Sequence, residues 1–165
     1  MRTVVMFLIA SAALSLSTHT SAQDRDLMQE ARVAVDQGRL VEAREMLLEL
    51  VQTEPSPGAA ANLAMVRQGL GEFMEAQELL ERLVAGDFGP LDPERHEQAS
   101  QLLLQVRSQV GSITVVTHGL GTASVRLGGR SVGSVGESGR LVIASNPGRQ
   151  LVQVEANGRL LEQEV

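Results

Sequence analysis

Apolar side chains recur at every third and fourth position from Asp24 to about Gln109, the spacing that gathers them on one face of an α-helix. From Ser112 onward they alternate with polar residues at every second position and glycine becomes dense, the pattern of short, half-buried strands. The change falls near Gly111. The chain therefore reads as an α+β protein of two domains, helical over residues 23–110 and β over 111–165, preceded by a leader over 1–22.

The helical stretch repeats itself. Gly38-Arg39-Leu40-Val41-Glu42-Ala43 with Leu47 and Leu50 returns as Gly71-Glu72-Phe73-Met74-Glu75-Ala76 with Leu80 and Leu83, an offset of 33 residues throughout. Leu40, Ala43, Leu47 and Leu50 make one apolar stripe, and Phe73, Ala76, Leu80 and Leu83 another. Four helices are predicted, near 24–36, 40–53, 58–70 and 73–85. A fifth follows the loop Gly86 to Leu91, with Asp92 as N-cap, Pro93 in the first turn, and Ala99, Leu102, Leu103 and Val106 as its core face. Gln98, Gln101, Gln105 and Gln109 mark its other side, which is read as the wet face of a cap closing the array.

In the β stretch, Ile113, Val115 and Thr117 alternate, then Val125 and Leu127, and Gly128-Gly129 supplies a tight turn into a return strand from Ser131 to Val135. Leu141 and Ile143 mark a fourth strand, and Asn146-Pro147-Gly148 a turn. Val152, Val154 and Ala156 follow, and Asn157-Gly158 forms a hairpin turn into Leu160 to Val165. Six short strands suggest a small antiparallel sandwich.

Two resemblances fit these halves. The 33-residue period, with Gly in the turn between paired helices, a bulky residue two later, a small Ala, and Pro55 closing the first unit, resembles the tetratricopeptide (TPR) repeat. The resemblance implies two helical hairpins and a capping helix. Gly121-Thr122-Ala123-Ser124-Val125, the hairpin Val125 to Gly133, and Asn146-Pro147-Gly148-Arg149 before a strand resemble the PEGA domain, a small β module of bacterial and archaeal envelope proteins. Neither family implies chemistry of its own. In the repeat family the first helix of each pair forms a concave wall. Carried over by register, that wall is Arg25, Met28, Arg32 and Val35 from the first repeat and Ala61, Met65 and Gln68 from the second. Such a wall suits a peptide with acidic and apolar residues, Arg forking onto carboxylates while Met adapts to shape. The alternative is that Met28, Val35 and Met65 are core or lie under the fifth helix.

Composition narrows the function further. All 14 basic residues are Arg, against 20 acids, for a net charge of -6, which disfavours nucleic acid as a partner. The charge is uneven: 23–110 holds 16 acids and eight Arg, whereas 111–165 holds four acids and five Arg, so the halves attract weakly. Phe7, Phe73 and Phe88 are the only aromatics, too few for a stacking platform. Without Cys there is no disulfide, thiolate metal site or cysteine nucleophile. His96-Glu97 begins a zinc-protease pattern, but Ser100 stands where the second His belongs. His118 has no carboxylate at ligand spacing, and is read as a loop residue. Gly133-Ser134-Val135-Gly136 does not form a nucleophile elbow. Gly119-Leu120-Gly121-Thr122-Ala123-Ser124 has Ser at the third Gly of a dinucleotide loop and leads into strand. The series Glu42/Glu45/Glu49 and Glu72/Glu75/Glu78/Glu81 is read as solvated helix faces.

Arg2, the apolar run Val4 to Leu16 and the small residues Thr20-Ser21-Ala22 read as a secretory signal cleaved after Ala22. The run is shorter than the ~20 residues of a membrane span. A periplasmic or secreted protein follows, or one held at the inner membrane if the signal stays uncleaved. The whole reads as a non-catalytic scaffold needing no cofactor or metal. Its partner is another envelope protein or peptide, with self-association possible and no stable membrane span after cleavage. The competing reading is a surface-layer or cell-wall component that self-assembles through the β module.

Overall fold

A computed structural model describes residues 17–118 and 121–165, and of 17–24 only the backbone. Five helices are followed by six strands: α1 Ser17–Asp36, α2 Leu40–Thr53, α3 Pro57–Gly69, α4 Phe73–Ala85, α5 Pro93–Arg107, then β1 Gly111–Val116, β2 Ala123–Leu127, β3 Arg130–Val135, β4 Arg140–Ser145, β5 Leu151–Ala156 and β6 Arg159–Glu164. Most of the proposed leader lies outside the described residues. Its last part, 17–22, is the start of α1, so that helix begins earlier than the apolar spacing indicates. Among the described side chains of α1, Leu27, Met28, Ala31 and Ala34 pack into the core.

Each helix packs on the next, and the 33-residue echo is visible in the backbone itself. Gly38 and Gly71 both take left-handed φ, 73° and 76°. After each, the chain closes the helix end the same way: Arg39 N–H reaches the Ala34 carbonyl at 2.8 Å, and Glu72 N–H reaches Arg67 at 2.9 Å. A residue with a Cβ resists that φ, which is why glycine holds both turns. Ala43 and Ala76 are fully buried, and the small side chain at each lets neighbouring helices approach. Leu47, Leu63, Leu80 and Leu83 fill the space between the helices, each worth roughly 2 kcal/mol on burial.

Capping sets where the later helices begin. Ser56 Oγ accepts from Ala59 N–H at 3.3 Å with Pro57 in the first turn, and Asp92 Oδ1 accepts from Arg95 N–H at 2.8 Å with Pro93 in the first turn. Between α4 and α5, Phe88 is buried under the Arg82 guanidinium, 4.6 Å from its ring centre, which pins the loop and lays α5 against α4.

All strand pairings are antiparallel and form two sheets, β1-β4 and β3-β2-β5-β6. Gly128 and Gly129 both have positive φ, as do Asn157 and Gly158, so both hairpins use the two-residue turn matched to strand twist. The register of β2 against β3 shifts between Val125 and Arg126, leaving Val132 as an extra residue on β3. Val115, Ala123, Val125, Val135, Ile143 and Val152 form a core separate from the helical one.

The two halves meet where the turn after β4 touches the start of α4. Asn146 Oδ1 accepts the Met74 N–H at 2.7 Å, its Nδ2 donates to Glu75 at 3.0 Å, and Arg130 lies 3.7 Å from the same carboxylate. The acidic series on α4 is therefore not uniformly solvated. Glu72 is half-buried between Arg44 and Arg67, and Glu75 is half-buried at the junction.

Candidate partner-binding groove

The wall implied by the repeat register lies on α1 and α3. Arg25, Met28, Arg32 and Val35 follow one another at three and four along α1, so they share a face. Opposite them on α3 stand Ala61 and Met65. Three adjoining hollows run between these helices and α5. One of about 400 Å³ is lined by Arg25, Met28 and Arg32, with Leu50 and Ala59 beneath. A smaller one of about 190 Å³ lies between Arg32, Val35 and Met65, with Leu47 and Val66 as floor. The third, about 480 Å³, continues past Arg32 and Met65 to α5.

Arg32 borders all three hollows, and Met65 separates two of them. Met65 is 49% exposed and Val35 39%, so neither is core and α5 does not cover them; Met28 is half-buried. Gln68 is not brought to these hollows. It is half-buried near the end of α3, where its carbonyl accepts the Gly71 N–H at 3.0 Å.

Register transfer missed two contributors. Asn62 borders two of the hollows and donates through Nδ2 to Met28 Sδ at 3.5 Å, tying α3 to α1. A helical wheel places Asn62 one turn before Met65 and Val66, a signal that could have found it. Arg95, Gln98 and Leu102 of α5 line the far side of the third hollow. They fall at three and four on a helix whose polar side reads as a plain cap, so only its packing reveals that one flank is groove. Gln101, Gln105 and Gln109 are exposed.

The electrostatics single out α1. Six of the eight Arg of the helical half make ion pairs: Arg39 with Glu42, Arg44 with Glu45 and Glu72, Arg67 with Glu72, Arg82 with Asp87, Arg95 with Asp92, and Arg107 with Glu81. The hydrogen bonds that Arg44 donates to Glu45 and Glu72 raise its pKa, and the one that Arg107 donates to Glu81 lowers the pKa of that carboxyl. Among the described residues Arg25 and Arg32 make no ion pair, and both point into the groove. They stand seven residues apart, about 10 Å along the helix.

His96 and His118 are both exposed, one on α5 and one just after β1, in different halves of the molecule. Among the described residues no helix is long and apolar enough to cross a membrane. The chain matches no protein-family model, no curated protein and no solved structure.

Proposed function

We propose that this chain is a non-catalytic adaptor of the cell envelope. Its TPR-like helical half grips one partner in the α1/α3/α5 groove, and its PEGA-like β half docks on a second protein or on the envelope. The observation that carries the reading is the charge arrangement of α1. In a helical half with twice as many acids as Arg, the two Arg that make no ion pair among the described residues both line an open groove beside exposed Met65 and Val35, with Asp36 and Glu54 also on its wall. Unpaired guanidinium groups beside adaptable apolar side chains favour a peptide carrying carboxylates and apolar anchors. The leader at residues 1–22 supports export to the periplasm or beyond.

Photocrosslinking in intact cells tests this. A crosslinker at position 65 should trap a discrete neighbour, and Arg25→Glu with Arg32→Glu should abolish the adduct. An adduct unchanged by the double substitution removes the groove from the account.

A further inference from the structure

The two sheets of the β half do not match in width. Sheet β1-β4 has two strands and sheet β3-β2-β5-β6 has four, so β6 projects past β1, and among the described residues no strand lies above it. Pairing of β5 with β6 sets Leu161 beside Val154 and Gln163 beside Val152, which puts Leu161, Gln163 and Val165 on the inner face. In a closed sandwich that face is core. Here Leu161 is 60% exposed and Val165 48%. Two hollows that share Val154 and Leu161, about 590 and 430 Å³, run along this face. The side wall of the larger is β1 and the two residues after it, from Ile113 to His118.

Among the described residues that wall is an unpaired strand edge. Thr117 N–H donates to the Gly139 carbonyl at 2.8 Å, so by the alternation of an antiparallel ladder Ile113 and Val115 also turn their backbone groups toward β4. Ser112, Thr114 and Val116 turn theirs toward the trough. Strand edges are ordinarily blunted by charge, proline or a bulge. The β6 edge carries Arg159, Glu162 and Glu164, β3 is bulged, and β4 faces β3, where Leu141 lies against Gly133. The β1 sequence Gly-Ser-Ile-Thr-Val-Val has none of these guards.

We propose that the β1 edge and the inner face of β6 accept one extended strand from a partner protein, which pairs antiparallel to β1 and completes the sandwich. A six-residue strand is about 20 Å long, the length of β6. Charge selects its sequence. Arg159 lies on the trough at the end where an antiparallel guest begins, and makes no ion pair among the described residues. Glu162 is held by Gln153 Nε2 at 2.6 Å. The guest therefore begins with an acid over Arg159 and continues with apolar residues at alternate positions. A second copy does not fit. The two-fold axis that joins two β1 edges antiparallel drives both β6 strands into the same space, because each already projects past its own β1. This site specifies how the β half engages a second protein, and rests on that part of the adaptor reading and not on the helical groove.

The test uses the full chain and a fluorescein-labelled peptide, Asp-Ser-Val-Thr-Val-Thr-Val-Ser, followed by anisotropy. Saturable binding is expected. Thr114→Pro, which removes an outward N–H and leaves the β4 ladder intact, should weaken it about tenfold, the worth of one or two hydrogen bonds. Leu161→Glu should weaken it similarly. Arg159→Glu should weaken it and restore binding to a peptide with Lys in place of Asp. All three positions are exposed, so melting curves should match the parent. Arg32→Ala should leave peptide binding unchanged, which separates this site from the groove. No saturation, binding unaffected by Thr114→Pro and Leu161→Glu, or a dimer that Thr114→Pro dissociates would each overturn the proposal.

Discussion

Asn146 and Glu75, 71 positions apart in sequence, are joined by a hydrogen bond of 3.0 Å that ties the turn after β4 to the first turn of α4. The same Asn146 side chain accepts the Met74 N–H, one of the donors that a helix start leaves without an internal partner. One residue of the β half thus caps a helix of the other half. Asn146→Ala should cost about 1–2 kcal/mol in chemical denaturation and loosen the halves. Small-angle scattering should then report a larger radius of gyration.

Acid should weaken the same junction. Burial pushes the Glu75 carboxyl up, but the Asn146 hydrogen bond, with Arg130 and Arg67 nearby, more than offsets this, and its pKa lies below the ordinary carboxylate value. A lowered folded-state pKa contributes stability at neutral pH that is lost as pH falls through the folded value. The stability gap between the parent and Glu75→Gln, measured by urea unfolding, should be widest near neutrality and close at strongly acidic pH. A gap that stays constant with pH removes the carboxylate from the junction.

The two glycine turns should behave as equals. Gly38→Ala and Gly71→Ala each force a Cβ into left-handed φ, at about 1 kcal/mol apiece, with nothing in space to clash. Set in separate turns, they should add within a few tenths of a kcal/mol in the double variant. Urea midpoints check both statements.

Core and groove substitutions should separate cleanly. Leu80→Ala empties a fully buried site and should cost about 2–5 kcal/mol. Arg25→Glu and Arg32→Glu are on the surface and should shift thermal unfolding by less than ~0.5 kcal/mol while removing groove crosslinks. Added salt should weaken partner capture by the parent chain, because the Arg contacts are screened over about 10 Å.

The helical groove was partly legible. Arg25, Met28, Arg32, Val35, Ala61 and Met65 line it, because their placement follows from helical spacing and from a repeat whose turns are fixed by glycine. Gln68 stands at the same 33-residue offset from Val35 but does not border these hollows, lying where the end of α3 meets the turn at Gly71. The flank supplied by Arg95, Gln98 and Leu102 was invisible, because a polar helix face looks the same whether it meets water or borders a groove.

By itself the sequence determined what short-range chemistry decides. Pro57 and Pro93 beside their caps, Gly38 and Gly71 in the helix turns, and Asn157-Gly158 between strands act within a few residues, and fix where elements start, stop and reverse. Tertiary structure alone decided what depends on distant partners. It set β1 with β4 apart from β3-β2-β5-β6, drew Glu75 from a nominally wet helix face to Asn146, and left the four-stranded sheet wider than the two-stranded one, so that β6 projects past β1. The period of a strand shows which residues share a face, but what covers that face is chosen by packing across the whole chain.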